Sequence, residues 1–539
     1  MHSEFHVIIS DHLHPSGWQA LLQTGGMRTS GPFASRQEVL RAVADADALI
    51  IRSATIVDEE LLNAAPRLKV LARAGAQLDN IDIEAATRLG IMVINVPYAN
   101  VIAVVEHTFA MLLALARQIP VGMNALREGK WLRHELLGFQ LHGKQLGIVG
   151  FGRLGKEVAL RAQAFGMNVL AYDPYVDLAF AHAQGIEVVN FSELLARADV
   201  LSLHTAYTPL TRELMNAQAF QQMKKGAYFI NCVHAGLVNE TDLLEALECG
   251  HLAGAALDTL AQEPPPADHP LLNHPNVVVV PHLNQNTVES QTATSQQVVA
   301  DVVDALSGKD YRHVVNLPFT DENPYQSAKL YLHLAFKLGK LQGQVAEGWI
   351  TRVEVELLGE GMHNLVRPVA AALLSGMLRL ATGQAPNWVS APVIAREQGI
   401  QTAQAKGLVP LADYPNVIAC RIFWSGNDST PDSGGHRTVA GVLFGNGEAR
   451  LVQYERFNVD AYPEGYVLIL ENDDLPGVIG KVGTRLGRAG INIAQWRYGR
   501  DHPGGKAVSF INLDDRIPKT LLTELEGETE IQRARLVYL

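Results

Sequence analysis

Residues 144–175, KQLGIVGFGRLGKEVALRAQAFGMNVLAYDPY, constrain the fold more than any other stretch of this chain. A short apolar run at 146–149 meets Gly150-Phe151-Gly152-Arg153-Leu154-Gly155 and passes into a helical pattern. A second apolar run, 168–172, ends at Asp173. The order is strand, glycine-rich turn, helix, strand, acid. In such a unit Gly150 permits the tight turn, Gly152 lets backbone approach a pyrophosphate, and Gly155 lets helix and strand pack closely. The N-terminus of the helix offers unpaired N–H groups and the positive end of its dipole to the phosphates. Asp173 stands where an acid accepts bonds from the adenosine ribose hydroxyls. A carboxylate there repels a 2′-phosphate, and Pro174 and Tyr175 follow it rather than an arginine, so NAD is favoured over NADP.

The length, 539 residues, suggests three or four domains. Hydrophobic content of 47% and charged content of 19% are those of a globular protein. A net charge of −12 argues against a nucleic-acid partner. Three widely spaced cysteines, Cys232, Cys249 and Cys420, suggest neither a disulfide framework nor a zinc site, and no other metal site is expected. The start, MHSEFHVIISD, reads as a first strand rather than a secretory signal. The most apolar stretch, near 101–115, is interrupted by Glu106 and His107 and reads as a buried helix, not a membrane span. A reducing cytoplasm is the expected compartment.

Apolar runs at 5–10, 48–53, 68–72 and 91–95 alternate with helical patterns at 35–44, 58–64 and 83–89, which indicates a parallel sheet covered by helices. A long helix at about 100–117 leads into a second unit built on the glycine motif. Its further strands are expected at 186–189, 200–203, 228–231, 255–258 and 277–280. Open sheets of this kind bind ligands beyond the carboxyl ends of their strands. Arg52-Ser53 and Arg73 sit at such ends. Arginine is a permanently charged planar fork suited to carboxylate and phosphate, so an anionic substrate is indicated; the alternative is that each arginine pairs with a surface carboxylate. Glu263 and His282 follow the last two strands, and a histidine hydrogen-bonded to a carboxylate can exchange a proton with a hydroxyl or carbonyl.

With these residues in view, the chain resembles the D-2-hydroxyacid dehydrogenases, and among them the long-form D-3-phosphoglycerate dehydrogenases. The likeness rests on IRSAT (51–55), RAGAQLDNIDIEAATRLGI (73–91), GKQLGIVGFGRLGKEVALRAQAFGM (143–167), YDPY (172–175), LLEALECGHLAGAALD (243–258), Glu263-Pro264 and NVVVVPHL (276–283), and it spans nearly the whole chain. The resemblance implies two Rossmann-like, doubly wound α/β domains. The substrate domain would be 1–97 with 285–317, and the NAD-binding domain 98–284. A linker at 318–324, an α+β intervening regulatory domain at 325–453 and an ACT domain at 464–539 would follow. The C-terminal pattern is itself that of a βαββαβ module. ACT modules bind small molecules, often amino acids, at subunit contacts. The resemblance implies serine as effector, with Asn472, Asp474 and Asn492 at the ligand loop; a purely structural dimer module is the alternative. Its implied site residues are Glu263 and His282 as the acid–base pair, and Asp258, which orients the nicotinamide amide. Arg153, Leu154, His204 and Thr205 would lie along the cofactor. Arg52, Ser53, Arg73 and Asn100 would hold the substrate, with Arg133 reaching across the subunit contact of a homodimer or homotetramer.

The family pattern Asn-(Thr/Cys)-Ala-Arg-Gly-Gly reads Asn231-Cys232-Val233-His234-Ala235-Gly236 here. His234 stands where the family has its third catalytic residue, an arginine. Histidine is shorter and offers a single bond in that direction. Losing one donor at a reacting centre typically costs on the order of 10²–10³ in rate. Further departures are Gln77, Tyr98, Ala99, Tyr207 and Asn284, each bulkier than the family residue expected at or beside it. The expected function is NAD-dependent oxidation of 3-phosphoglycerate to 3-phosphohydroxypyruvate with His234 as substitute, the step that opens serine biosynthesis; the alternatives are action on another 2-hydroxy or 2-keto acid, and an NAD-binding paralogue that has lost hydride transfer.

Overall fold

The computed structural model describes residues 4–319, 325–360, 362–378, 386–410, 414–426 and 434–539. Most of the linker expected at 318–324 lies outside them, as do parts of the region expected at 325–453. Two compact units are formed: Met1–Leu13, Gly17–Asn95 and Val298–Leu539 make one, and His14–Ser16 with Val96–Gln297 make the other. Residues 285–297, which the resemblance implied for the substrate domain, group with the second unit.

In the first unit, strands β1 (Phe5–Ile9), β2 (Met27–Ser30), β3 (Ala48–Ile51), β4 (Val70–Arg73) and β5 (Met92–Ile94) form a parallel sheet in the order β2-β1-β3-β4-β5. Every residue of β3 and β4 is buried, as expected of parallel strands covered on both faces. Ser35, Asp58 and Asp82 accept backbone N–H bonds at the starts of the helices Arg36–Ala42, Glu59–Asn63 and Ile83–Arg88. Helix Pro15–Gln23 and β2 were not anticipated; β2 reads MRTS, an edge strand with no buried residue and hence no apolar run to betray it.

The second unit carries β6 (Gln145–Val149), β7 (Asn168–Tyr172), β8 (Glu187–Val188), β9 (Val200–Leu203), β10 (Ala227–Asn231), β11 (Leu252–Leu257) and β12 (Val277–Val279). All are parallel, in the order β12-β11-β10-β9-β6-β7-β8. The order reverses between β6 and β9, so a crevice opens beyond their carboxyl ends. The apolar helix Val101–Ala116 buries nine residues, Phe109, Leu112 and Leu115 among them, in this core. No single helix among the described residues is long and apolar enough to cross a membrane.

The remainder of the first unit holds two more sheets. Strands β13 (Trp349–Gly359), β14 (Gln401–Gln404), β15 (Asn416–Ser425), β16 (Gly435–Leu443), β17 (Ala449–Tyr454) and β18 (Phe457–Ala461) run in the order β14-β13-β15-β16-β17-β18, antiparallel except at β13–β14. Helices Tyr325–Val345 and Val366–Leu378 supply much of their core. This sheet continues to Ala461 because β18 returns on β17 through a tight turn at Glu455. Then β19 (Tyr466–Asp473), helix Val478–Arg488, β20 (Ile493–Arg500), β21 (Lys506–Leu513), helix Lys519–Glu526 and β22 (Ile531–Tyr538) form a βαββαβ module. Its antiparallel sheet has the order β20-β21-β19-β22, and Leu468, Leu470, Val482, Leu486 and Leu525 fill its core.

Candidate active site

The second unit assembles the nucleotide crevice from the ends of its strands. Gly150 follows β6 with φ +94°, and a Cβ there would lie 2.7 Å from the Thr205 backbone N, at the end of β9. A Cβ on Gly155 would meet the Gly150 carbonyl, which is why helix Arg153–Ala164 can lie so close to β6. A Cβ on Gly152 would meet nothing within 4 Å. The middle glycine thus faces open space at the first turn of a helix, the place for a pyrophosphate. Asp173 follows β7, where its carboxylate accepts the Phe151 N–H at 2.9 Å and the Tyr175 N–H at 2.8 Å and so ties the turn to the acid. The Arg153 guanidinium lies 3.3 Å from the centre of the Tyr98 ring, and Leu154 is half-buried. His204 is buried, and its Nε2 lies 2.9 Å from Ser202 Oγ. Burial pushes its imidazole down to about 3, so the ring is neutral.

Beyond β10, β11 and β12 the polar groups converge. The buried Asp258 carboxylate accepts from Leu283 N–H at 2.7 Å and Asn284 N–H at 3.2 Å, and it meets His107 Nε2 at 2.9 Å. Asn284 donates from Nδ2 to the Cys232 carbonyl at 2.7 Å, while its buried Oδ1 and the Thr259 hydroxyl beside Asp258 have no partner among the described residues. Burial, with Asp258 nearby, pushes the Cys232 thiol up, so it stays protonated. His282 Nδ1 lies 2.8 Å from Glu263 Oε2, with the side chains 34% and 40% exposed. A carboxylate can only accept, so Nδ1 carries the proton and the neutral ring keeps its lone pair on Nε2.

His234 lies just after β10 and caps a single 3₁₀ turn, Ala235–Leu237. Its Nδ1 accepts the Gly236 N–H at 3.0 Å, so the proton of the neutral ring is on Nε2. The ring stacks on Tyr207, with centroids 4.2 Å apart and planes 5° from parallel. A Cβ on Gly236 would collide with the Tyr207 ring, so this stack needs the glycine. Tyr207 therefore orients the substituted residue, which bulk alone had not suggested.

Among the residues expected to hold substrate, Arg52 follows β3 and Arg73 is the last residue of the adjacent β4 in the first unit's sheet. Asp11, after β1, accepts the Arg52 N–H at 2.6 Å, and Asn80 Nδ2 donates to the Arg52 carbonyl at 2.7 Å. Burial and the neighbouring Arg73 lower the pKa of Arg52, which marks two cations held close together. Arg73 is buried and ion-paired with Asp79, so the alternative of a carboxylate partner applies to it. Ser53 is exposed beside Arg52. In the second unit Asn100 spends its Nδ2 on Gln285 Oε1 at 2.9 Å, and Arg133 lies in an exposed loop. At the C-terminus, Asp474 accepts from Tyr498 OH at 2.8 Å and from Arg500 and Gly504 N–H at 3.0 Å; these bonds hold its carboxyl below the usual range. Asn472 is buried, and Asn492 donates to Asp514 at 2.7 Å.

Sequence reasoning missed the roles of His107, Tyr98 and Asn284. A polar residue inside an apolar helix was the available signal for His107, and it served only to argue against a membrane span. No group of three or more potential metal ligands occurs among the described residues.

These features define a dinucleotide-binding oxidoreductase unit with a hydrogen-bonded histidine–carboxylate pair beyond its strand ends. Residues 109–284 match the family model of the D-isomer specific 2-hydroxyacid dehydrogenase NAD binding domain, and residues 327–455 match that of the D-3-phosphoglycerate dehydrogenase intervening domain. The D-3-phosphoglycerate dehydrogenase of Methanocaldococcus jannaschii is 35% identical over 535 residues, 99% of each chain. That of Bacillus subtilis is 36% identical, covering 99% of this chain and all of its own. A crystal structure of a Thermus thermophilus protein superposes with a TM-score of 0.54 and 34% identity over 58% of this chain and 100% of that one. The chain belongs to the D-3-phosphoglycerate dehydrogenase family, and its cofactor is NAD. The open cradle at Gly152, the acceptor at Asp173 and the unpartnered Asn284 Oδ1 and Thr259 hydroxyl suit that cofactor.

Proposed function

We propose that the protein oxidises 3-phosphoglycerate to 3-phosphohydroxypyruvate with NAD, the step that opens serine biosynthesis. The observation that carries this reading is the 2.8 Å His282–Glu263 contact within a unit whose glycine turn and Asp173 suit NAD. The chemistry that bound NAD supplies is acceptance of a hydride from C2 of the hydroxy acid. His282 Nε2 takes the proton of the C2 hydroxyl, and Glu263 stabilises the imidazolium that forms. His234 donates from Nε2 to the same oxygen or to the substrate carboxylate, in the place of the family's arginine. Arg52 and Ser53 take the carboxylate or phosphate of the substrate in this reading. Asp258, held by His107, accepts from the carboxamide of the nicotinamide, and Arg153, Leu154, His204 and Thr205 flank the rest of the cofactor. The domain division is substrate domain 1–97 and 285–317, NAD-binding domain 98–284, intervening domain 325–453 and ACT domain 464–539.

The single N–H of His234 favours a second reading, a smaller 2-hydroxy acid than the phosphate ester. NADH formation with 3-phosphoglycerate, beside D-lactate and D-glycerate, decides between them. Turnover of 3-phosphoglycerate supports the first reading, turnover only of the smaller acids the second, and turnover of none refutes both. Serine is the effector in this proposal, its ammonium taken by Asp474 beside Asn472; Asn492, next to Asp514, lies at the other end of this sheet in the same chain. Calorimetric titration of serine, with Asp474→Asn as control, tests it. Ile119, Met123, Leu126, Trp131 and Leu137 are exposed, which supports a homodimer or homotetramer built through this segment. Free cysteines, with Cys249 exposed, suit a cytoplasmic enzyme.

A further inference from the structure

A cavity of about 1130 Å³ lies in the first unit, and none of these residues lines it. Thr87 and Val315–Pro318 form one wall, and the helices and edge strand of the six-stranded sheet's region form the other. The volume is slightly above the roughly 300–1,000 Å³ of small-ligand pockets and so leaves room for a metabolite. Its floor is apolar: Leu317, Leu374, Trp388, Val393 and Ile400.

The charge is one-sided. Arg352, Arg367 and Arg396 line the cavity, and among the described residues no aspartate or glutamate does. This occurs in a chain whose net charge is −12. Arg352 is paired with Glu354. Arg367 and Arg396 are exposed and make no hydrogen bond or ion pair among the described residues. Unneutralised guanidinium groups set around an apolar floor are suited to a phosphate or a pair of carboxylates on an apolar body.

The walls are also built. Asn316 accepts the Val93 N–H at 2.9 Å and donates to Thr87 Oγ1 at 3.0 Å and to the Ile91 carbonyl at 2.8 Å. Asn387 donates to the Gly90 carbonyl at 2.6 Å and accepts the N–H groups of Val389 at 3.0 Å and Ser390 at 3.1 Å. Trp388, between them, packs in an aromatic cluster with Tyr311, Phe319 and Tyr325. The two asparagines therefore pin both walls to the same helix–strand corner, Ile83–Arg88 and β5, and the cavity is preformed.

We infer that this cavity is a second small-molecule site, which takes an anionic metabolite bearing a phosphate or paired carboxylates on an apolar body. The anion sits on Arg367 and Arg396, and the body lies over Leu374 and Trp388. A ligand there touches the β2-β1-β3-β4-β5 domain and the intervening region at once.

The test is a titration of the full-length protein, read by tryptophan emission and by calorimetry. The probes are phenyl phosphate, phthalate, inorganic phosphate and phenol. Saturable binding of phenyl phosphate or phthalate is expected, and which of them binds tighter tells phosphate from paired carboxylates. Inorganic phosphate and phenol, each lacking one half of the chemistry, should bind at least tenfold more weakly. Arg367→Gln/Arg396→Gln should weaken the tighter probe roughly tenfold or more per arginine, as expected for charge-assisted bonds. Arg367→Lys/Arg396→Lys should retain part of it, and Trp388→Phe should remove the emission change. NAD binding should be unchanged in every variant, and an unchanged circular dichroism spectrum and unfolding midpoint report that the first unit is folded. Failure of both organic probes to bind, binding unaffected by the double glutamine variant, or binding abolished by Arg52→Gln instead would overturn the assignment.

Discussion

Removing the His234 imidazole as His234→Ala takes away one N–H donor and also the Nδ1 acceptor that caps the Ala235–Leu237 turn, a loss of about 0.5–2 kcal/mol confined to that turn because the ring lies against Tyr207 outside the apolar core. If Nε2–H stabilises charge that develops on the substrate oxygen, kcat should fall by about 10²–10³. Tyr207→Ala leaves the donor but removes its platform. A stacked aromatic pair is worth about 0.5–1.5 kcal/mol, so the expected loss is about 2- to 10-fold, with the Gly236 N–H still holding Nδ1 at 3.0 Å. The two effects must not add. In the His234→Ala background there is nothing left to orient, and Tyr207→Ala should cost nothing further. The assay is the initial rate of NADH formation with 3-phosphoglycerate for the wild type, both single variants and the double variant, with kcat and KM separated. A His234→Ala enzyme within threefold of the wild type would refute the donor role. An equal Tyr207→Ala loss in both backgrounds would show that the tyrosine acts on something other than His234.

The three glycines of the turn should separate by experiment. Gly155→Ala should destabilise the second unit by about 1–3 kcal/mol in denaturant unfolding, because its Cβ meets the Gly150 carbonyl. Gly152→Ala meets nothing and should leave stability within about 0.5 kcal/mol while weakening NAD binding about tenfold; equal effects of the two on stability would contradict the open cradle. Asn284→Leu should weaken NAD about 5- to 100-fold by fluorescence titration, through loss of a buried hydrogen-bonding group, and an unchanged Kd would exclude Asn284 from the cofactor site. His204, held at about 3 by burial against 6.5 in the unfolded chain, makes stability fall as the pH drops from about 6.5 towards 3, since only the unfolded state takes up the proton there. At pH 5 this amounts to about 2 kcal/mol. Unfolding midpoints at pH 7 and pH 5 should therefore diverge less in His204→Gln than in the wild type.

Local chemistry is legible in the chain itself. Glycine at 150, 152 and 155, apolar runs of strand length and an acid at 173 impose a backbone path whatever surrounds them, and the buried strands of both parallel sheets, with the helices at 35–44, 58–64, 83–89 and 100–117, follow from short-range pattern; helix Pro15–Gln23 does not. Glu263 and His282 could be paired in advance because each lies in the loop after one of two consecutive strands. The edge strand β2, lacking buried residues, gave no such signal. What tertiary structure alone decided is set by strand order in space and by side-chain directions. His107 reaches Asp258 across 151 positions. Asn284 reaches the Cys232 carbonyl across 52. Tyr207 and His234 meet because β9 and β10 are neighbours in the sheet. Arg367 and Arg396 share a cavity with Thr87 only because asparagines at 316 and 387 both pin to the same early segment. Pattern along a chain specifies which backbone forms; a hydrogen bond between distant residues needs their positions, and those exist only once the sheets have been assembled.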